Sequence, residues 1–359
     1  MNRQSTHQLI SASVALATAI GLMTTSGGIG LAHGIRALQA GRRAASHQTL
    51  VIYEASGYAQ AVASAFSKKT GITVDLVHLA TGPLAARIEA EGKYPEWDIA
   101  WFDDQTTMRA LANLGLLNRG WTPSDVSNYT AEGRKLLPGD RAYFPMGYTA
   151  AAVIAYNPKT VSPSQAPTTW KDLLRPAFKG AVAMNNPAIS GPTYPFVAGI
   201  LQQMGMKKGK QFFLNLKKNG LQVYAKNGPT IQALLTGKAK VALAQDAAFI
   251  GEKLAGADIR IVYPTSGAFQ LDNVMGIAKN APDKKAAEEF VTFALTRQAQ
   301  EIMSNPKFGG TDSYRTSVIK GVGANPNVPK NVRWASINTP YAAKVRASVL
   351  NWFTQNIVQ

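Results

Sequence analysis

Hydrophobic and polar residues follow two different periods along this chain. Short apolar runs such as TLVIYEA (49–55) and WDIAWFDD (97–104) are typical of buried strands. Between such runs, segments like AQAVASAFSKKTG (59–71) place apolar residues three and four positions apart, which predicts amphipathic helices that end at a glycine. Strands separated by helices of this length predict α/β architecture with parallel sheets, whose ligands bind beyond the carboxyl ends of the strands.

Two long extended stretches, residues 143–157 and 259–282, interrupt this alternation. Each lies between α/β segments, so we expect two lobes joined by paired crossover strands. In this division residues 47–146 plus 270–305 form the first lobe, and residues 147–269 plus 306–359 form the second.

The first 46 residues have the pattern of a secretory leader. An early arginine precedes an apolar run over residues 9–23, small residues follow, and no acidic residue occurs before Glu54. Cleavage after Ala32 fits a small–x–small pattern, and sites near Ala40 or Ala45 are alternatives. An uncleaved membrane anchor is the competing interpretation, but the run is short for a span of about 20 residues. We therefore predict a protein that is soluble in the periplasm after signal-peptide cleavage.

The chain is strongly basic, with 38 Lys and Arg against 21 Asp and Glu, a formal net charge of +17. Loss of the four leader arginines would leave +13. Such a charge on an exported protein indicates an anionic ligand, an anionic membrane surface or an acidic environment. The lysines are scattered, which argues against nucleic acid, and the densest group, residues 207–220, has the spacing of an amphipathic helix with a solvated face.

Several kinds of chemistry are excluded or disfavoured. The absence of cysteine excludes disulfides, thiolate metal sites and cysteine nucleophiles. Three of the four histidines lie in or beside the leader, so a histidine metal cluster is excluded as well. The chain contains no Walker loop, nucleophile elbow or metalloprotease motif. We expect a protein that is not an enzyme and that carries no metal and no cofactor.

The stretch NNPAISGPTYPFVAGI (185–200) has two interpretations. Ser190, Gly191 and Pro192 mark the start of a helix, and Pro195 lies in its first turn. These residues could simply cap the helix. Alternatively, the helix N-terminus could face a ligand, because it offers free N–H groups and the positive end of a dipole.

Three motifs, AQAVASAFSKKTGITV (59–74), PTTWKDLLRPAFKGAVAMNNP (167–187) and AAEEFVTFALTRQAQEIM (286–303), occur here in an order that resembles a known family. The chain is similar to extracellular solute-binding proteins of ABC importers, in the branch that includes ferric-iron-, organophosphate- and 2-aminoethylphosphonate-binding proteins. The resemblance implies a type II periplasmic-binding-protein fold: two lobes, each a mixed, mostly parallel sheet with helices on both faces, joined by hinge strands. It also implies a monomer that delivers its solute to a membrane permease, or to a sensor in place of the permease.

The resemblance places ligand contacts at the loops that follow the strands. The residues are Ser56, Gly57, Tyr58, Thr81, Gly82, Asp103, Tyr148, Ser190, Gly191, Thr193, Tyr194, Asn227, Gln245 and Asp246. Asp103 and Asp104 could hold a cationic group of the ligand, or could serve as a helix cap and a surface acid.

Ala247 and Ala248 stand where the ferric branch has a pair of tyrosines, so tight binding of bare Fe(III) is disfavoured. Pro192 and Pro195 have no backbone N–H, so this helix start has two fewer N–H donors to offer an anion. The predicted ligand is therefore a phosphonate, such as 2-aminoethylphosphonate, or a phosphate ester. The alternatives are ferric iron or its anion complex, a carboxylate, and a polyamine.

Overall fold

The computed structural model describes residues 49–359, so the predicted leader and its cleavage sites lie outside the described residues. The strands are β1 (Thr49–Glu54), β2 (Thr73–His78), β3 (Ile99–Asp103), β4 (Phe144–Ala150), β5 (Val153–Tyr156), β6 (Val182–Asn185), β7 (Gln222–Tyr224), β8 (Val241–Ala244), β9 (Arg260–Val262), β10 (Ala268–Ile277), β11 (Thr316–Ser317) and β12 (Trp334–Ala335). The helices are α1 (Ala59–Thr70), α2 (Thr81–Glu91), α3 (Gln105–Asn113), α4 (Ala131–Leu136), α5 (Thr193–Met204), α6 (Met206–Lys218), α7 (Asn227–Leu235), α8 (Asp246–Leu254), α9 (Lys284–Ala294), α10 (Arg297–Met303), α11 (Pro306–Gly309) and α12 (Thr339–Phe353).

The helix predicted within residues 59–71 is confirmed as α1. Its apolar residues Val62 and Phe66 are buried, and Gly71 ends it in the left-handed conformation with φ 79°. The Gly71 N–H donates to the Ser67 carbonyl at 2.8 Å, which satisfies one of the free carbonyls of the last turn. Within residues 49–359, no helix is both long and apolar enough to cross a membrane.

The first sheet has the order β11-β4-β10-β3-β1-β2, with β12 added beside β10. β1 pairs in parallel with β2 and β3, whereas β10 runs antiparallel to β3 and β4. Neighbours along a strand face opposite sides of the sheet. Accordingly, Ile52 and Trp101 belong to one hydrophobic cluster, while Tyr53 and Phe102 belong to another. Helices therefore cover both faces of this sheet, and together they form the first lobe.

The second sheet has the order β7-β6-β8-β5-β9. β6 is parallel to β7 and β8, and β5 is antiparallel to β8 and β9. Ile154 and Met184 pack on one face, and Ala155 and Ala183 pack on the other. This sheet and its helices form the second lobe. In both lobes the antiparallel pairing comes from the strands that lead to or from the crossovers.

The predicted crossover strands are confirmed. Only Ala151 and Ala152 separate β4 in the first sheet from β5 in the second, and β9 leads back to β10. The Ala151 N–H donates to the Phe269 carbonyl at 2.8 Å, so the two connections are hydrogen-bonded where they pass between the lobes. The two connections give the chain a paired hinge.

The sheet membership of two segments differs from the predicted lobe limits. The limit between residues 146 and 147 falls inside β4, which belongs wholly to the first sheet. β11, assigned to the second lobe by the sequence, pairs with Tyr148 and Gly147 of β4 and so extends the first sheet. Its two residues carry no hydrophobic periodicity that would have revealed this pairing.

Helix α12 contacts both lobes. Its buried residues Ala342, Val349 and Phe353 belong to the core of the second lobe. On its other side, the Arg346 Nε donates to the Thr107 Oγ1 of α3 at 2.8 Å. The C-terminal helix therefore forms a second bridge between the lobes, apart from the hinge strands.

Candidate functional site

A cavity of about 180 Å³ lies between the lobes. Its lining comes from the carboxyl ends of strands in both sheets, where the α/β pattern predicted a ligand site. The lining residues are Ala55, Ala80, Thr81, Asp103, Ser190, Gly191, Pro192, Lys226, Asn227, Gly228, Gln245 and Asp312. A second, water-sized cavity beside it is lined by Tyr58, Asp103, Tyr148, Thr149, Gln245, Leu271, Asn273, Asp312 and Arg315. Asp103, Gln245 and Asp312 border both cavities, so the two spaces form one site.

Asp103, the last residue of β3, is held by groups from both lobes. Its Oδ1 accepts a hydrogen bond from the Asn273 Nδ2 of β10 at 2.7 Å. Its Oδ2 accepts from the Gln245 Nε2 at 3.2 Å, and Gln245 follows β8 in the second lobe. Burial raises the pKa of Asp103, while the Asn273 hydrogen bond opposes that shift.

Asp312 brings a second carboxylate to the same wall. It follows α11 and accepts a hydrogen bond from the Gly57 N–H at 2.7 Å. Burial raises the pKa of Asp312 to about 7, and the nearby Asp103 carboxyl adds to the shift. Among the described residues, neither Asp103 nor Asp312 forms an ion pair with a lysine or arginine.

Arg315 lies behind these carboxylates and is 1% exposed. Its guanidinium donates to the Met146 carbonyl and lies 5.3 Å from the centre of the Tyr58 ring. A Cβ at Gly147 would overlap this guanidinium, so glycine is needed for the strand to pass it. Arg315 lowers the pKa of Asp103 and so reduces the cost of holding a carboxylate there.

The second-lobe wall presents uncharged donors and one lysine. Asn185, at the end of β6, joins the segments that follow β6 and β7. Its Nδ2 donates to the Ser190 Oγ at 3.2 Å and to the Asn227 Oδ1 at 2.7 Å. The Thr230 hydroxyl donates back to the Asn185 Oδ1 at 2.6 Å. The start of α7 borders the cavity through Asn227 and Gly228, and Lys226 precedes it. Pro229 has no N–H, so the free N–H groups of this first turn are those of Asn227 and Gly228.

The start of α5 settles part of the question raised by residues 185–200. The residue before the helix is Pro192, and no side chain caps the first turn. Ser190 is therefore not a helix cap; its hydroxyl is bonded to Asn185 and borders the cavity.

Asp104, by contrast, is a helix cap. Its carboxylate accepts from the N–H groups of Thr106 and Thr107 at 2.8 and 2.9 Å, at the start of α3. It is 1% exposed, so the interpretation of Asp104 as a surface acid is wrong. Asp104 directly follows Asp103 in the chain. Its φ of 138° is unusual for a residue other than glycine. The strained backbone here separates two adjacent carboxylates, one for the cleft and one for the helix.

Two glycines let the lobes touch beside the cavity. The Gly82 N–H of α2 donates to the Ile189 carbonyl of the second lobe at 3.1 Å. A Cβ at Gly82 would overlap the Ala188 carbonyl oxygen, and a Cβ at Gly191 would overlap the Thr81 hydroxyl. Gly228 borders the same cavity, yet a Cβ there would meet nothing within 4 Å. Glycine is therefore required where the two lobes touch, but not at every position that borders the cleft.

The structure brings most of the predicted site residues together. Thr81, Asp103, Ser190, Gly191, Asn227 and Gln245 line the larger cavity, and Tyr58 and Tyr148 line the smaller one. Ser56 and Gly57 do not line either cavity but hold residues that do. The Ser56 hydroxyl accepts a hydrogen bond from Asn273, and the Gly57 N–H donates one to Asp312. Gly82 lies at the contact between the lobes.

Besides Ser56, Gly57 and Gly82, three more predicted residues line neither cavity. Thr193 begins α5 and is buried, and it is not among the residues that line either space. The Tyr194 hydroxyl donates to the Ala342 carbonyl of α12 at 2.6 Å, inside the second lobe. The Asp246 carboxylate accepts from the Ala150 N–H at 2.9 Å and the Tyr263 hydroxyl at 2.8 Å, so it ties the end of β4 to α8.

The sequence reasoning missed Lys226, Asn273, Asp312 and Arg315. Asn273 lies inside a strand, where alternation indicates only which face a residue occupies. Asp312 and Arg315 lie in GGTDSYRTS (309–317), a segment without a clear helical or strand period. Its only usable signal was a pair of glycines followed by charged residues.

The described residues contain no group of three or more His, Asp or Glu side chains arranged to hold a metal ion. Ala247 and Ala248 are 1% and 4% exposed within α8 and border neither cavity. Burial also raises the pKa of the Tyr58 phenol well above its usual value, so this phenol is protonated at neutral pH in the ligand-free protein.

Comparison with known proteins adds the evolutionary context. Residues 114–342 match the model of a family described as "Bacterial extracellular solute-binding protein". The "Fe(3+)-binding periplasmic protein" of Serratia marcescens is 25% identical over 320 residues, which cover 86% of this chain and 88% of that protein. The "Putative 2-aminoethylphosphonate-binding periplasmic protein" of Salmonella typhimurium is 23% identical over 252 residues, covering 68% of this chain and 71% of that protein.

Among solved structures, the periplasmic binding protein AfuA from Actinobacillus pleuropneumoniae, with exogenous fructose-6-phosphate bound, superposes with a TM-score of 0.77. It is 21% identical, and the match covers 86% of this chain and 98% of AfuA. The likeness shows the two-lobed type II fold, and the relatives named here are binding proteins rather than enzymes. The family match extends over more than half of the residues, and the chain belongs to the bacterial extracellular solute-binding proteins.

Proposed function

We propose that this protein is the periplasmic binding component of an ABC importer and that it captures a small phosphonate or phosphate ester that also carries an amine. The lobes close over the solute about the paired hinge, and the loaded protein delivers it to a membrane permease. The protein acts as a soluble monomer after removal of its leader.

The observation that carries this proposal is the unequal chemistry of the two cleft walls. The first-lobe wall presents Asp103 and Asp312, two carboxylates without an ion-pair partner among the described residues. The opposite wall presents the first turn of α7, Ser190 and Lys226. A helix N-terminus and a lysine attract an anion, and a pair of carboxylates attracts a cation. A solute with an anion at one end and an ammonium at the other would satisfy both walls.

The size of the cavity supports a small solute. Its volume of about 180 Å³ lies below the range of about 300–1,000 Å³ that holds drug-sized ligands. An aminoalkylphosphonate of a few heavy atoms suits such a space, and the relative from Salmonella typhimurium bears the name of a solute of this class.

A polyamine is the second candidate, because Asp103 and Asp312 would each accept an ammonium group. Lys226 and the α7 N-terminus disfavour it, since both present positive potential to the same cavity. Ferric iron has less support, because Ala247 and Ala248 stand where the ferric branch has its two adjacent tyrosines, and because residues 49–359 hold no cluster of three acidic or histidine ligands.

The test is calorimetric titration of the protein purified from the periplasmic fraction. 2-Aminoethylphosphonate should bind saturably, and ethylphosphonate, which lacks the amine, should bind roughly ten- to a hundredfold more weakly, because a hydrogen bond to a charged group is worth about 1.5–3 kcal/mol. Putrescine and Fe(III) citrate serve as the competing ligands. Tighter binding of putrescine than of 2-aminoethylphosphonate would contradict the proposal.

A further inference from the structure

A further cavity lies outside the cleft. It is a groove of about 680 Å³ on the second lobe, between the short helical segment Trp170–Leu174 and helices α5 and α6. It shares no lining residue with either cleft cavity. We call it the α6 groove.

The floor of the α6 groove is apolar. Trp170, Leu174, Met204 and Phe212 line it, and the side chains of Trp170 and Phe212 are also part of the second lobe's core. A space of this volume with an apolar floor has the dimensions of a small-molecule site. Because the groove is concave, its floor is reached by a ligand that enters it and not by a flat surface.

One polar atom in this floor lacks a partner. The Trp170 indole is 1% exposed, and its Nε1 donor makes no hydrogen bond. Buried polar groups are normally satisfied, and a lost hydrogen bond is costly in an apolar environment. Because the Nε1 atom itself is buried, a ligand in the groove would not reach it, and the unsatisfied donor is a cost borne by the second lobe's core.

The rim of the α6 groove is cationic. Lys171 and Lys208 border it, and both are exposed. Neither makes an ion pair with any acidic residue among those the structure describes. The surrounding segment, residues 157–263, contains 14 Lys and Arg against four Asp and Glu, a net charge of +10. By contrast, residues 49–143 carry nine Lys and Arg against 11 Asp and Glu, a net of −2.

We propose that the α6 groove is a second ligand site, separate from the cleft, for a small amphipathic anion such as an aliphatic carboxylate. The aliphatic chain lies on the apolar floor, and the carboxylate lies at the rim between the lysines, whose positive potential attracts it. The combination of an apolar floor and two rim lysines without ion-pair partners among the described residues carries this assignment.

The test is calorimetric titration of the full chain with octanoate, below the concentration at which it forms micelles. We expect saturable binding of one octanoate per protein. Affinity should rise about three- to fourfold for each added methylene between hexanoate and decanoate, as burial of each group predicts. Octan-1-ol, which has the same chain without the charge, should bind at least tenfold more weakly.

The variant Lys208→Glu should weaken octanoate binding roughly tenfold, since it replaces an attraction at the rim by a repulsion. Lys218→Glu is the matched control: it lies on the same helix, is exposed and does not border the groove, so its affinity should stay near that of the unmodified chain. Asp103→Asn should leave octanoate binding unchanged, which separates this site from the cleft and makes the result independent of the proposed function.

Three results would overturn the proposal. Equal weakening by Lys208→Glu and Lys218→Glu would indicate a diffuse charge effect, and equal binding of octanol would remove the role of the lysines. Binding to phosphatidylglycerol vesicles without any binding of free octanoate would show that the basic face docks on membranes and that the groove itself holds no ligand.

Discussion

The two walls of the cleft use different means to hold charge. The first-lobe wall relies on side chains, Asp103 and Asp312, whose charge depends on pH. The second-lobe wall relies mainly on backbone N–H groups and on hydroxyl and amide side chains, whose dipoles do not titrate in the physiological range. The first wall can therefore respond to pH and to the amine of a ligand, while the second offers a constant environment for an anion.

The largest expected effect comes from keeping the two walls apart. The double variant Gly82→Ala/Gly191→Ala introduces methyl groups that overlap the Ala188 carbonyl and the Thr81 hydroxyl. Overpacking costs about 1–3 kcal/mol at each position, so the two together should weaken the calorimetric affinity for 2-aminoethylphosphonate by roughly thirtyfold or more. Without ligand the melting temperature should change little, because opening the lobes relieves both overlaps.

Gly228→Ala is the control for this prediction. Gly228 borders the same cavity, but its new methyl group would meet open space. Its affinity should remain within about threefold of the unmodified chain. If Gly228→Ala weakened binding as much as the double variant, contact between the lobes would not be the reason for the glycines.

The next largest effect tests the acidic wall. Asp103→Asn keeps the shape of the side chain but removes its charge, so 2-aminoethylphosphonate should bind roughly ten- to a hundredfold more weakly. Ethylphosphonate, which has no amine, should lose little or even gain affinity. A loss of equal size for both ligands would assign Asp103 to the support of the cleft and not to the amine.

The pH dependence sharpens the same contrast. Because the pKa of Asp312 is raised to about 7, this carboxyl keeps its proton at pH 6 and loses it by pH 8. An ammonium group binds the ionised form, so affinity for 2-aminoethylphosphonate, divided by that for ethylphosphonate, should rise about tenfold between pH 6 and 8.

Without ligand the sign for stability is the reverse. A carboxyl whose pKa is higher in the folded than in the unfolded protein favours folding at low pH, so this contribution is lost as pH rises through about 7. The variant Asp312→Asn should make both the affinity ratio and the stability of the ligand-free protein depend less on pH. An affinity ratio that stays constant from pH 6 to 8 in the unmodified chain would exclude Asp312 as an amine ligand.

The smallest effect concerns the constant wall. Asn227→Ala removes an amide that borders the cavity and accepts a hydrogen bond from Asn185. The net value of one neutral hydrogen bond is about 0.5–1.5 kcal/mol, so affinity should fall roughly two- to tenfold at every pH. Thr193→Val, whose side chain borders neither cavity, should have less effect by the same calorimetric measurement. The opposite order would place the anion at the start of α5 and not at α7.

The sequence was sufficient for the fold and for about half of the cleft. Helix α1 and strand β3 have clear periods, so the loops that follow them could be placed, and with them Thr81 and Asp103. Asp312 and Arg315 could not be placed, because their segment has no period and is held at the cleft by long-range contacts, such as the pairing of β11 with β4 and the Gly57–Asp312 hydrogen bond.

Local reasoning also could not separate Asp103 from Asp104. Both follow the same strand, and only the backbone conformation at Asp104, with φ 138°, turns its carboxylate to the α3 N–H groups. Likewise, the sequence placed the glycines at 82 and 191 among the ligand contacts and gave no sign that they lie where the two lobes touch. Their need for a missing side chain arises from a second segment that is more than 100 residues away in the chain and is in contact only after folding.

Helix α12 has a consequence for how fast a bound solute can leave. Release requires the lobes to separate, and Arg346 links α12, in the second-lobe core, to Thr107 and to Glu89 of the first lobe. These contacts lie away from the solute, so they change its residence time without touching it. A residue 13 positions from the C-terminus can therefore set how long the cargo is held while the protein diffuses to the membrane.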